Sequence, residues 1–284
     1  MPAPGKIPSD SFVSSPREVL QKLSAVIVTG GSSGIGKSFI GTTAKLQPSL
    51  HFCNLSRRIP DINLPELKLR HIACDLAKPE EIERAVPELI AHLNAVMPQG
   101  RVLLINNSGF GAYGRFPEPN LSEQLAMADV NMRAVLHLTG LLLPELKRRG
   151  GAIMNVASTA AFQPMPYLNT YAATKAFVLH WSVALGEELR GSGVQVLAVC
   201  PGPTSTGFSL RAGLKPGQLA EGPRMTSEDV VLASYQALAA GRSIVIPGAK
   251  NRFLAAMAGL VPKPLAARAA ARMIAEKRLP PDRR

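Results

Sequence analysis

Short apolar, β-branched runs alternate along this chain with longer stretches in which apolar side chains recur every three to four positions. The runs at 25–29, 50–55, 69–74, 102–106, 152–156, 195–200 and 243–246 read as strands. Helical spacing fills 35–46, 79–96, 121–149 (broken once), 169–190 and 227–240. Runs without a polar face, such as Ala25-Val26-Ile27-Val28, mark strands buried on both sides, as in parallel sheets. Strand–helix alternation then predicts an α/β fold with helices on both faces of one sheet. Right-handed crossovers give the doubly wound order with the first strand central. The expectation is a single domain over 22–250 with a parallel seven-stranded sheet. Residues 1–21, Pro- and Ser-rich at their start, read as a flexible leader. The Gly- and Pro-rich stretch 202–226 follows a strand's C-terminal end and reads as a substrate lid. Residues 251–284 form a separate C-terminal extension.

Three features carry candidate chemistry. Residues 29–36, Thr-Gly-Gly-Ser-Ser-Gly-Ile-Gly, lie between the first strand and the first long helix. Glycines there permit a tight turn and close backbone approach to a pyrophosphate, which the free N–H groups of the helix start attract. Ser158 follows the strand at 152–156, on the sheet edge where α/β folds bind ligands. Tyr171 and Lys175 are four residues apart, so a helix puts them on one face. A nearby ammonium favours the phenolate and would lower a pKa that is ordinarily about 10. Such a pair suits proton transfer at neutral pH.

Together these motifs resemble the short-chain dehydrogenase/reductase superfamily over roughly 22–250. The glycine motif looks like the family's TGxxxGxG. Asn106-Asn107-Ser108-Gly109 looks like NNAG, with Ser108 in place of Ala. The resemblance implies a Rossmann fold and a catalytic tetrad of Asn131, Ser158, Tyr171 and Lys175. It implies cofactor contacts from Gly30, Ser32, Ser33, Gly34, Ile35 and Gly36, and from Asp75 with Leu76. It adds Asn107, Gly109, Tyr171 and Lys175, then Pro201, Gly202 and Thr206 at the nicotinamide end. In this scheme Tyr171 moves the proton, Ser158 steadies the substrate oxygen, and Asn131 holds a water linking Lys175 to solvent.

The end of the second strand reads Asn54-Leu55-Ser56-Arg57-Arg58 and lacks the carboxylate that would bond a ribose 2′-OH. Arginine pairs instead with a 2′-phosphate. The expected cofactor is therefore NADPH (NADP+), with Arg57 the main discriminator and Arg58 and Ser56 assisting. A pair of solvated surface arginines is the competing reading.

Composition changes this picture mainly at the C-terminus. A 46% hydrophobic content suits a large core. Cys53, Cys74 and Cys200 lie in or beside strands without CxxC pairing, and the five histidines are scattered, so no metal is expected. No secretory signal is visible, which points to a cytoplasmic protein. The net charge is +12, and 242–284 hold ten Lys/Arg against Glu276 and Asp282. Pro262 and Pro264 should split that segment into two amphipathic helices. A subunit or lid contact is the first reading, peripheral contact of 250–284 with an anionic membrane the second, and nucleic-acid binding, which no groove-reading motif supports, the last.

The expected activity is reduction of a ketone or oxidation of a secondary alcohol by a homodimer or homotetramer. Phe208, Leu210, Leu214, Leu219 and Met225 in the lid suit an apolar or acyl substrate. Two alternatives stay open: a nucleotide-sugar epimerase or dehydratase, and a non-catalytic NADPH-binding scaffold at a membrane.

Overall fold

The computed structural model describes residues 15–215 and 224–278. The first fourteen residues of the expected leader, the lid positions 216–223 with Leu219, and the basic end 279–284 lie outside the described residues. Seven strands form one parallel sheet: β1 (Leu23–Thr29), β2 (His51–Ser56), β3 (Lys68–Ala73), β4 (Arg101–Asn106), β5 (Gly151–Val156), β6 (Val194–Val199) and β7 (Ile244–Val245). Their order is β3-β2-β1-β4-β5-β6-β7, so the first strand is central and the chain reverses direction across the sheet beside it. The expected fold class and strand order hold. β7 is shorter than expected, since only Ile244 and Val245 pair with β6.

The period-two alternation of β1 sends its side chains into two core layers. Ala25 and Ile27 join Leu89 and Leu93 of α3 (Pro79–Val96) and Leu138 and Leu142 of α5 (Ala134–Arg149). Val26 and Val28 join Phe39 and Ile40 of α2 (Gly34–Leu46) and Val231 and Tyr235 of α8 (Ser227–Ala239). Each fully buried aliphatic or aromatic side chain contributes about 1.5–3 kcal/mol of transfer free energy. The sheet is therefore fixed from both faces, and the ends of its strands are held as a rigid shelf.

Three differences from the sequence reading have local causes. Residues 15–21 are not a flexible leader. They form α1 (Pro16–Gln21), which Ser15 caps by accepting the Glu18 N–H at 3.3 Å and which buries Leu20 against the α8 side of the core. The Ser-Pro-Arg-Glu signature of a helix start was outweighed by the Pro/Ser composition before it. The long helix at 121–149 is interrupted by a widened turn rather than a break: α4 (Leu121–Ala128) passes through a π-helical turn, Asp129–Arg133, into α5. The lid contains a short helix, α7 (Phe208–Arg211), and is closed at its base by a bridge between Thr204 and Met225. The prolines do split the C-terminal extension, into α9 (Ala249–Leu260) and α10 (Lys263–Arg278).

Candidate active site

The glycine loop joins β1 to α2 at the C-terminal edge of the sheet. Gly30 and Gly34 have φ of 70° and 55°, a backbone region in which a side chain is strained. At Gly36 a Cβ would lie 2.4 Å from both the Gly30 carbonyl oxygen and Asn107 Nδ2. Side-chain amides hold the loop in this shape. Asn54 Oδ1 accepts the Gly31 N–H at 2.8 Å, and Asn107 Nδ2 donates to the Thr29 carbonyl at 2.9 Å. Thr29 Oγ1 accepts the N–H groups of Asn107 and Ser108, each at 2.9 Å. Ser33 starts α2 without a side-chain cap, which leaves first-turn N–H groups of a 13-residue helix for an anion. Thr206 stands across from this helix start, with its Cβ 3.5 Å from where a Cβ of Gly34 would be. Ser32 and Ile35 complete the loop, Ile35 packing on the core below. This cradle, narrow and rich in unpaired donors, fits the pyrophosphate of a dinucleotide.

The second strand ends in a turn that presents Arg57 and Arg58 to solvent. Ser56 does not offer its proton to a ligand here. Its hydroxyl donates to the Arg58 carbonyl at 2.7 Å and accepts from Asn54 Nδ2 at 2.8 Å, so it shapes the arginine turn. Arg211 of α7 lies near enough that partial burial, then Arg57 and Arg58, hold its guanidinium below the usual arginine range. Asp75 Oδ1 accepts the Ala77 N–H at 3.1 Å and so orders the β3–α3 turn, where Leu76 is buried.

Tyr171 and Lys175 lie in the first two turns of α6 (Asn169–Glu188), both facing inward. Lys175 Nζ donates to the Val156 carbonyl at 2.7 Å and sits 5.7 Å from the centre of the Tyr171 ring. Burial dominates both groups. It lowers Lys175 to about 8, with Cys200 acting weakly against it. It pushes the Tyr171 phenol above its ordinary value, and a hydrogen bond with Ser158 works in the opposite sense. The expectation that Lys175 favours the phenolate is therefore corrected: the ammonium is committed to Val156, and desolvation favours the neutral form of each partner.

Ser158, two residues past β5, caps a 3-10 turn, Thr159–Phe162, by accepting the Ala160 N–H at 3.1 Å. Behind it the Cys200 thiol is buried and pushed up to about 12, so it is inert as a nucleophile. Pro201 follows Cys200, and its carbonyl accepts the Thr159 N–H at 2.9 Å, which ties the Pro201-Gly202 segment to the Ser158 turn. Asn131 is fully buried in the π-helical turn. Its Nδ2 donates to the Phe110 carbonyl at 2.9 Å and to Thr174 Oγ1 at 3.0 Å, and its Oδ1 accepts the Phe110 N–H at 3.1 Å. A Cβ at Gly109 would lie 3.1 Å from Asn131 Oδ1 and 3.2 Å from Lys175 Nζ. Glycine at 109 thus keeps a side chain from crowding these two groups.

A roof covers Tyr171. The Phe208 ring of α7 lies 5.1 Å from the Tyr171 ring, over Gly111, where a Cβ would come within 2.8 Å of Phe208 Cζ. Ile274 of α10 is buried in the same cluster as Tyr171, Tyr113 and Leu168. The structure thus brings together all four tetrad residues, the glycine loop, Asn107, Gly109 and Thr206, and leaves Arg57 and Arg58 exposed just past β2. Sequence reasoning missed Asn54, Thr174 and Ile274. Only Asn54 left a signal, as a polar residue inside an otherwise apolar strand end.

The family model for short chain dehydrogenase matches residues 24–214. Over 135 residues the chain is 36% identical to the ketoacyl reductase HetN of Nostoc sp., a match covering 46% of this chain and 47% of that protein. It is 31% identical over 196 residues to a serine 3-dehydrogenase of Agrobacterium fabrum, covering 65% of this chain and 74% of the relative. A solved short-chain dehydrogenase from Sphingobium yanoikuyae in complex with NADPH superposes with a TM-score of 0.68 at 26% identity, covering 84% of this chain and 94% of that one.

Proposed function

The chain belongs to the short-chain dehydrogenase family, and on that premise we propose that it is an NADPH-dependent carbonyl reductase or alcohol dehydrogenase. As a family member it is a nicotinamide-dependent oxidoreductase acting on CH–OH or C=O groups. The choice of NADPH rests on one observation. The turn after β2 carries the exposed pair Arg57 and Arg58 where a carboxylate selecting NADH would stand.

When bound, the reduced nicotinamide supplies a hydride. The protein's own residues handle the proton. Burial keeps it on Tyr171 Oη at neutral pH, ready for a carbonyl oxygen that gains charge. Ser158, bonded to the same phenol, gives that oxygen a second hydrogen bond. Lys175, with a pKa of about 8, and Asn131 Oδ1 both lie beside Gly109, and a water held by Asn131 returns the proton through Lys175. The substrate is an apolar ketone or secondary alcohol, acyl chains included, received under Phe208, Leu210 and Leu214. The working form is a cytoplasmic homodimer or homotetramer with a peripheral membrane contact through 250–284.

Fluorescence titration with NADPH and NADH, on wild type and Arg57→Ala, tests the reading. NADPH should bind at least about tenfold tighter, and the gap should shrink in the variant. Equal or NADH-favoured binding would remove the NADPH assignment. Binding of neither would remove the enzyme reading and favour a scaffold.

A further inference from the structure

The two C-terminal helices are each two-sided. On α10, Ala266, Ala270 and Ile274 recur at four-residue spacing and face inward, Ile274 reaching the cluster that contains Tyr171. On α9, Ala255 and Ala258 face inward, and Lys263 Nζ, at the start of α10, donates to the Phe162 carbonyl at 3.2 Å. The outer faces are apolar. Phe253, Met257 and Leu260 share one stripe of α9, with Leu254 and Val261 beside it, and Leu265 and Met273 are exposed on α10. Phe253 is 64% exposed and Leu260 77%. Seven of the seventeen exposed large apolar side chains among the described residues lie within 253–273. Lys250, Arg252, Lys263, Arg268 and Arg272 are exposed on the same two helices, and residues 249–275 contain no Asp or Glu.

We propose that this outer face docks on an anionic lipid surface. Exposed apolar groups interleaved with cations, without an acid, match a bilayer interface with negative headgroups. A second copy of the chain fits less well, because a two-fold contact would set Lys250, Arg252, Arg268 and Arg272 against the same four. No described helix is long and apolar enough to cross a membrane, so the contact is peripheral. Since Ile274, on the reverse side of α10, is buried in the cluster that contains Tyr171, docking places that cluster near the lipid boundary. An apolar carbonyl substrate is then taken from the bilayer. This last step rests on the reductase reading, whereas the docking rests on the surface alone.

The test is flotation of the full chain with phosphatidylcholine vesicles, with and without roughly 30 mol % phosphatidylserine. The expected result is at least about tenfold tighter binding to the anionic vesicles, weakened by about 0.5 M salt. Phe253→Glu with Leu260→Glu should lose at least about tenfold in binding, and Arg268→Gln with Arg272→Gln severalfold. All four side chains are exposed, so circular dichroism and NADPH binding of the variants should match wild type. Equal binding to neutral and anionic vesicles, or binding unchanged in both variants, would overturn the proposal. So would a dimer, seen by analytical ultracentrifugation, that the Phe253/Leu260 variant dissolves. NADPH-coupled turnover of a water-soluble ketone is read on the same samples. Turnover without vesicle binding sinks the docking alone, and vesicle binding without NADPH binding sinks the reductase reading alone.

Discussion

Beneath the glycine loop, backbone groups are tied down by polar side chains: Asn54 holds Gly31, Asn107 holds Thr29, and the Thr29 hydroxyl holds Asn107 and Ser108 in return. Above Tyr171 the cover is different. It consists of the Phe208 and Ile274 side chains, brought in by α7 and α10 from late in the chain. The cofactor floor is rigid because its conformation is over-determined by hydrogen bonds that cost free energy to leave unmade. The substrate roof meets Tyr171 through apolar side chains, a contact that is non-directional and tolerates substitution by shape. Such a division fits a site in which one partner is always a nucleotide and the other varies.

The largest effect should come from breaking the floor. Gly36→Ala puts a methyl into the Gly30 carbonyl, a fixed backbone atom. We expect a destabilisation on the order of 3–4 kcal/mol by thermal or denaturant unfolding, with loss of NADPH binding. Unchanged binding would show the loop to be as forgiving as the roof.

Lys175, between floor and roof, comes next. The native protein releases its proton near pH 8, and the unfolded chain near the ordinary lysine value, so between these the unfolded state binds more protons. Stability contributed by this group should therefore rise with pH from about 8 upward. Below pH 8 the buried ammonium costs the native state on the order of 3 kcal/mol. Lys175→Met should lose turnover, yet unfold at higher denaturant at pH 7 and lack the rise. A flat wild-type profile would mean the ammonium is well solvated.

The smallest effect should come from the roof. Ile274→Ala should cost about 2 kcal/mol or slightly more, leave the NADPH dissociation constant within about twofold, and shift KM for an apolar ketone. A changed NADPH affinity would show that floor and roof are coupled.

The same contrast explains what could be read from the sequence. The glycine loop is local: eight consecutive residues specify a turn, a helix start and an anion site, and β1 before them announces its burial by composition. The sheet order follows from alternation plus the handedness of crossovers. Asn131 could be named by its motif, but its π-helical turn and its bonds to Phe110 and Thr174 depend on helices meeting in space. The protonation of Tyr171 and Lys175 was misread because spacing says how near two groups are, not how dry. Ile274 was invisible for a related reason. Its role depends on where two proline-split helices come to rest, and nothing in a run of alanines and arginines encodes that position.

The thiol behind Ser158 has a practical consequence. Cys53, Cys74 and Cys200 are all buried, and all three are pushed well above the usual cysteine range. A disulfide reagent reaches them only when the surrounding structure breathes. Cys200 lies under Ser158 at one end of the sheet, and Cys53 lies in the second strand. The relative rates at which they are labelled thus form a clock, built into the chain, for how often each region opens.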